Sequence, residues 1–396
     1  FGLGWIISNS DFWNEDAMVD FLKLKASGGV LLTDRNFDYY LYRDAYNANG
    51  SYAYGDPAAN YSNIILDVNR IRNYNLGYEK KKSLNVGVQG ALLDYALTFD
   101  VNAFVTRYDG QVIKRNSYYP AYLSSFFAYE NYNADRYMGF DAAISYTKKW
   151  GDFSLTAGLN MLYARSKVVV RDEVYNNAYQ YRKGKPVDAI FGLQNLGFFN
   201  NDAEIASAAE QKFGTVRPGD IHYIDQNSDK VVDEEDEVMI GKSNPDFTGA
   251  LHLTFKYKDF SLFIMGEGAT GHDIIYNNNY YWVDGNKKYS AEVWNRWTPE
   301  TAATATYPRL SSTQNDNNNR TSDFWMRKAD YFSLSRVQLN YNFPNTLLRR
   351  TFIRDLSLYL RGSNLLMAAQ DVKKRQLNIG SEPQFRYYAL GLKVSF

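Results

Sequence analysis

The densest run of chemically capable side chains in this sequence is the acidic stretch from Asp225 to Asp236. Asp225, Asn227, Asp229, Val231, Asp233 and Asp236 fall at positions 1, 3, 5, 7, 9 and 12 of a calcium-loop pattern. Oxygen side chains at alternating positions, a backbone carbonyl at the seventh and a carboxylate at the twelfth would wrap a hard cation. Lys230 stands where that pattern has glycine, and Asp236 replaces the longer glutamate. Two readings stand: a structural Ca2+ ion, or an acidic solvated loop held by backbone turns.

No other constellation carries chemistry. His222, His252 and His272 lack ligand spacing, and His252 sits on the polar side of a strand pattern, where it is expected to face an aqueous interior. Gly241-Lys242-Ser243 matches only the end of a phosphate loop, because Asp236 occupies the place of the earlier glycine. Neither GxSxG nor HExxH occurs, and sequence alone sets no carboxylate pair at a hydrolytic separation. No catalytic residue is assigned and no enzyme is expected. Aromatic side chains gather at Tyr280, Tyr281, Trp282, Trp294 and Trp297. Tyr280, Tyr281 and Trp282 are candidates for stacking on a substrate, and the alternative is loop packing with an interfacial girdle.

The elements that would carry these loops are strands. In the last residues Tyr388, Leu390, Leu392, Val394 and Phe396 alternate with Ala389, Gly391, Lys393 and Ser395. Period two puts each set on one face. In an outer-membrane barrel the apolar set meets lipid and the polar set a wet lumen, so these five residues read as a C-terminal barrel-assembly signal. A soluble sandwich would turn the same apolar face to a core.

Composition narrows the choice. The 396 residues hold 44 basic and 44 acidic side chains, so no net field argues for nucleic acid. Aromatic content is 16%, with 34 Tyr, which suits membrane girdles or sugar-stacking surfaces. No apolar run approaches the roughly 18 residues of a membrane helix, which leaves a barrel open. Without cysteine, the redox compartment is unreadable. Phe1 opens directly on a strand-like segment with no leader pattern, so the chain is expected to be mature or the tail of a longer polypeptide.

A recurring Asp, followed by an aromatic or leucine and an alternating run, begins at Asp20, Asp94, Asp152, Asp259 and Asp355. Tight hairpins are expected at Lys258-Asp259 and around Trp150-Gly151-Asp152. Connections between hairpins are long and polar. Short turns at one end and long loops at the other indicate an up-and-down barrel with its loops outside. About eleven strands are expected, and an odd number cannot close the usual even barrel, so the chain reads as a fragment. Two strand patterns are especially regular, one from Tyr95 to Thr106 and one from Arg336 to Phe343. The longest loop is expected at 168–244, with an Asn201-capped helix over EIASAAEQ ended by Gly214.

Several segments together resemble one family. RPGDIHYIDQNSDKVVDEEDEVMIGKSNPDFTGALHLTFKYKDFSL, WNRWTPETAATATYPRL, SDFWMRKADYFSLSRVQLNYNFP and LYLRGSNLL resemble, in family order, segments of SusC-like (RagA-like) TonB-dependent outer-membrane transporters. GLGWIISNSDFW, FLKLKASGGV and KGKPVDAIFGLQNLGFF fit the same order. Lys230 and the segment AAQDVKKRQLNIGSE depart from the family pattern.

The resemblance implies an all-β, transmembrane antiparallel up-and-down barrel. Residues 1–396 would form the C-terminal part of a 22-stranded plugged barrel, with the plug and TonB-contacting region upstream. It implies import of oligosaccharide or peptide across the outer membrane, powered by TonB, with a SusD-like surface lipoprotein as lid. No cofactor beyond the possible ion is required. Two alternatives stay open: a secreted all-β carbohydrate-binding or hydrolytic protein, and a non-transporting barrel of a secretion or assembly complex.

Overall fold

The computed structural model describes residues 1–14, 18–34, 38–55, 62–115, 120, 127–349 and 351–396. Its central feature is one sheet of eleven strands. We number them β1 (Gly2–Ile6), β2 (Val19–Thr33), β3 (Glu79–Leu92), β4 (Leu97–Lys114), β5 (Tyr129–Trp150) and β6 (Phe153–Val170). The sheet continues with β7 (Phe247–Tyr257), β8 (Phe260–Thr270), β9 (Tyr331–Asn342), β10 (Asp355–Ala369) and β11 (Tyr387–Ser395). Spatial order equals chain order and every neighbouring pair is antiparallel, so the sheet is a pure meander. The expected count and up-and-down topology are both observed. Among the described residues β1 and β11 each keep one unpaired edge.

The tight turns lie at one end. Trp150 pairs Phe153 across Gly151-Asp152, and Tyr257 pairs Phe260 across Lys258-Asp259. Gly151 and Lys258 take positive φ, 58° and 50°, as such short hairpin turns require. The recurring aspartates all mark this end, at the start of β2 and β10 or within the turns themselves. One expectation is corrected here. Tyr95 and Ala96 do not open β4, because Leu93, Asp94 and Tyr95 all take positive φ in a turn and the strand begins at Leu97. Asp20 holds that turn by accepting a hydrogen bond from the Tyr95 N–H at 2.9 Å.

Register divides the sheet into two chemically distinct faces. One row runs Tyr146, Ala157, Leu253, Ile264, Val337, and the next Leu155, Phe255, Leu262, Leu339, Leu360, Leu390. None of these side chains is buried: Leu339, Leu360 and Leu390 are exposed and the rest half-buried, and no second large sheet covers them among the described residues. A sandwich would bury them. Lipid is the solvent that suits them.

Two aromatic rows bound this apolar band. At the turn end Trp150, Phe153, Tyr257, Phe260 and Tyr341 lie side by side, with Phe260 and Tyr341 rings 4.7 Å apart. At the loop end stand Phe140, Tyr163 and Phe247, with Phe140 stacked on Tyr163 at 5.5 Å. Ten residues of β6 separate the rows, about 33 Å of strand. Tilted by roughly 40°, that is about 25 Å of height, the thickness of an outer-membrane apolar band. In the rows between the girdles Lys148 is the one charged side chain among the described residues, and it lies one row from the lower girdle.

The expected alternation of the C-terminal strand is observed. Tyr388, Leu390, Leu392 and Val394 share the apolar face opposite Gly362, Leu360, Leu358 and Leu356, and Leu390 is 73% exposed. Phe396 stacks on Phe352 with ring centroids 5.6 Å apart. Gly391 faces the other way, where a Cβ would lie 2.2 Å from the Tyr359 ring.

The long connections all leave the opposite end. The longest spans 171–246, slightly beyond the expected 168–244. The second connection carries a hairpin, Ala45–Ala53 paired with Ser62–Arg70, that alternation did not reveal. The helix in the longest loop covers only Asp202–Ser207, with the Asn201 side chain accepting from the Glu204 N–H. Glu210-Gln211, expected to continue it, forms instead a parallel pair with Val231-Val232.

Candidate functional site

Two surfaces could meet a solute: the inner face of the sheet and the loop assembly above it. The inner face is polar row by row. One row holds Lys23, Gln89, Asp100, Asn160, Glu267 and Ser333, and the next holds Thr98, Ser145, His252 and Arg336. Lys25 Nζ donates to Asp100 at 2.7 Å, and Asn102 bridges Asp100 and Asp141 at 3.0 and 2.8 Å. Further round, Gln338 donates to Asn340 and Asn340 to Ser261. A recess of about 600 Å³ opens beside Lys25, Asn85, Asn102 and Asp141. His252 lies on this face as expected, its ring over Gly158, where a Cβ would approach to 2.0 Å.

The loop assembly is a small folded unit. Leu193, Ile221, Tyr223 and Val232 from the first loop pack against Tyr276, Tyr307 and Trp325 from the second. Burying such side chains contributes roughly 1.5–3 kcal/mol each, which fixes loops that would otherwise be mobile. Beneath this core lies a buried ion pair. Asp220, with 0% side-chain exposure, meets Arg309 at 2.9 Å and accepts from Asn315 and Asn318 at 3.0 and 2.8 Å. Gly219 beside it has φ 89°, and a Cβ there would lie 2.4 Å from Trp297. Thus the PGDI, RWTPE and YPR segments meet at one point. Ser322 and Trp325 of the SDFW segment complete the packing, with Trp325 Nε1 donating to the Asn318 carbonyl.

A third loop closes on the other two. Lys374, in the helix Val372–Leu377, donates to Glu292 at 2.7 Å and lies over the Tyr276 and Tyr281 rings. Arg375 donates to the Ala329 carbonyl at 2.7 Å.

The aromatic candidates are resolved by this packing. Tyr281 is buried, stacked on Tyr276 at 4.5 Å, and burial pushes its hydroxyl pKa up. Tyr280 and Trp282 pack against the same core. Tyr307 hydrogen-bonds the Tyr281 carbonyl at 2.7 Å, and burial raises its own hydroxyl to about 12. Loop packing accounts for Tyr280, Tyr281 and Trp282. Tyr281 is enclosed by it, while Tyr280 and Trp282 stay half-buried at its edge. Trp297 is buried too, while Trp294 is exposed.

The acidic loop is closed by its own backbone. Asp225 accepts from the Ser228 and Lys230 N–H groups, Asp229 from Val231, and Asp233 from Glu235. Asn227 accepts from the Asp229 N–H, and Asp236, fully buried, accepts from Gln226 and Asp233. Burial raises the Asp236 pKa. Lys230 takes φ 70°, the left-handed conformation that glycine supplies in the calcium-loop pattern, so the turn survives the substitution. No group of three His, Asp or Glu side chains among the described residues is arranged to hold a metal ion. The oxygens of Asp225, Asn227, Asp229, Asp233 and Asp236 face backbone N–H groups, and the carbonyls on either side of Val231, those of Lys230 and Val232, accept from Glu210 and Lys212 of the paired strand. The calcium expectation gains no support from this geometry.

Sequence reasoning missed one recess in the loop assembly. Its volume is about 320 Å³, and Tyr175, Arg182, Phe191, Glu234, Glu235 and Glu237 line it. Arg182 lies over the Phe191 ring at 4.5 Å, and burial raises the Glu237 pKa. Residues on both sides of a long loop build it, so no local pattern signals it.

No family model matches the chain. A TonB-dependent receptor of Formosa agariphila is 23% identical over 428 residues, covering 99% of this chain and 41% of the relative. The TonB-dependent receptor SusC of Bacteroides thetaiotaomicron is 20% identical over 367 residues, covering 88% of this chain and 34% of the relative. The chain thus spans about two fifths of the length of the first relative. Among solved structures, the RagAB peptide importer in its open-open state superposes over 100% of this chain and 42% of that one, with TM-score 0.75 and 20% identity. A further structure of the RagAB peptide transporter gives TM-score 0.74 at 20% identity. Girdled meander, polar inner face and chain-long likeness agree: the chain is similar throughout to the C-terminal part of SusC-like TonB-dependent receptors of the outer membrane and shares the RagAB barrel fold.

Proposed function

We propose that this chain forms the C-terminal half of a 22-stranded plugged barrel that imports oligosaccharide or peptide nutrients, driven through TonB. The observation that carries this reading is the eleven-stranded meander with apolar outside, polar inside and two open edges. Open edges of that length demand partners, and the strands of the remaining half would supply them. The process is binding and translocation, without covalent chemistry, in keeping with relatives named as receptors. A SusD-like surface lipoprotein would cover the loop assembly as a lid. The rigid loop core supports this role, since a lid needs a fixed rim to close on. The recess lined by Tyr175, Arg182 and the three glutamates is the place in the loops where polar cargo would first be held.

Deleting the gene and measuring growth on defined oligosaccharides and peptides, with affinity purification from solubilised outer membrane, tests the proposal. Loss of uptake of one nutrient class together with a co-purifying lipoprotein is expected. Unaltered uptake of every class, with no lipoprotein partner, would favour the non-transporting barrel.

A further inference from the structure

Above the outer girdle, the lipid-facing side of the sheet carries an unusual row. Lys82 pairs Arg107, Arg107 pairs Arg136, and Arg136 pairs Lys167 in direct cross-strand register. Four cations thus stand side by side on β3, β4, β5 and β6. Lys80 lies one row above and Arg165 one row below, on the same face. Like charges directly opposite each other in a sheet are destabilising. The chain as a whole is neutral, so this segregation is not a composition effect.

Few acids answer the row. Asp109 serves Lys82 and Arg107 together, at 2.9 and 2.5 Å, and Asp246 serves Arg165 at 3.2 Å. Lys80, Arg136 and Lys167 have no ion-pair partner among the described residues, and Arg136 Nε is buried without a hydrogen-bond acceptor. On the inner face, by contrast, Lys25 is paired with Asp100.

Depth completes the argument. Arg165 and Lys167 follow the girdle residue Tyr163 by two and four positions along β6. At 3.3 Å per residue and the usual tilt, their backbones stand about 5 and 10 Å above the girdle. The headgroup layer occupies roughly the first 5–8 Å beyond the hydrocarbon. Long basic side chains reach down from that height to phosphate level. The row spans four strands, roughly 15 Å across, which is the width of one or two lipid headgroups.

We propose that Lys80, Lys82, Arg107, Arg136, Arg165 and Lys167 form a binding site for phosphate groups of outer-leaflet glycolipids. The inference rests on the membrane-spanning reading with the long loops outside. The site anchors the barrel wall at a fixed depth and orientation beneath the loop assembly, and bound phosphate relieves the like-charge row.

The test uses the full-length transporter in detergent, with phosphorylated lipid A and the same lipid after enzymatic dephosphorylation as probes. Native mass spectrometry reads the retained lipid. The wild type is expected to retain the phosphorylated form preferentially. Each cation near an anionic surface is worth roughly fivefold, so the double variant R136Q/K167Q should bind about 25-fold more weakly. Heat-modifiable gel mobility verifies assembly, and if the double variant does not assemble, K80Q on its exposed site should lose about fivefold. Equal retention of both lipid forms by the wild type, or an unchanged preference in assembled variants, would overturn the site. Complete displacement of lipid by millimolar inorganic phosphate would reassign it to free phosphate. A wild-type chain that never inserts would instead break the membrane reading itself, which separates the two failures.

Discussion

Consider an arginine placed at Leu251. This side chain lies four residues from the outer girdle residue Phe247 and six from the inner one, Tyr257, near mid-bilayer. Its row neighbours are Leu159 and Gly266, and it is 44% exposed to the surroundings of the barrel. An arginine on the lipid face at the midplane costs about 2–4 kcal/mol. At one factor of ten per 1.4 kcal/mol, the folded-to-unfolded ratio should fall roughly 30- to 700-fold. The adjacent Ala250 faces inward, beside Asn160 and Glu267. Ala250→Arg should therefore cost less than about 1 kcal/mol, since lumenal substitutions meet water and an acidic neighbour. The assay is urea-induced unfolding of the full-length protein in lipid vesicles, followed by heat-modifiable mobility. Equal losses for the two variants, or a larger loss for Ala250→Arg, would refute the assignment of faces.

Three further outcomes are expected. Replacing Asp220 by alanine leaves Arg309 and two asparagine donors unpaired beneath the loop core; breaking such a buried pair typically costs 3–5 kcal/mol. Limited proteolysis should then cut loops 171–246 and 271–330 while the strands stay protected, and an uncut loop assembly would speak against the pair as its anchor. Replacing Asp225 and Asp229 by alanine removes caps on three backbone N–H groups, so the acidic loop should become protease-sensitive equally with calcium and with chelator. A difference that depends on chelator would restore the ion. His272 sits at the root of the second loop, and burial lowers its pKa, with Arg375 and Lys242 acting in the same direction and Asp330 and Asp273 against it. A depressed histidine destabilises the fold as pH falls below about 6.5, so cleavage near this root should rise on acidification, and His272→Gln should flatten the dependence. A wild-type profile that is flat from pH 7 to 5 would contradict this.

Much of the sheet was legible because its signal is local. Period-two alternation in β4, β9 and β11 assigned faces correctly, and the glycine and aspartate of Trp150-Gly151-Asp152-Phe153 marked a turn. Where local pattern misled, a turn competed with it: Tyr95 continues the alternation but lies in a run of three positive-φ residues. The loops were far less readable. Their core joins residues such as Tyr223 and Trp325, or Asp220 and Arg309, which are distant in the chain. Periodicity carries no trace of such pairings. For the same reason the aromatic residues at Tyr280, Tyr281 and Trp282 suggested a stacking surface until Tyr276 was seen to cover Tyr281. The family-like segments PGDI, RWTPE, YPR and SDFW were recognised as strings, and the structure gives them a physical meaning as the parts of one buried joint. The basic row at Lys82, Arg107, Arg136 and Lys167 was invisible for a different reason. Its members come from four strands, and only register aligns them.

The most direct test of the central claim exploits the absence of native cysteine. Single cysteines are placed in turn from Phe247 to Tyr257 in the full-length protein, reconstituted in lipid. Each is offered a water-soluble maleimide, then a fluorophore quenched by lipid-borne groups. The account predicts strict alternation: positions 248, 250, 252, 254 and 256 react with the aqueous reagent, and 247, 249, 251, 253, 255 and 257 are quenched from lipid. Absence of lipid quenching at every position, with the odd residues inaccessible to both reagents, would show that this face is a soluble core, and would contradict the barrel.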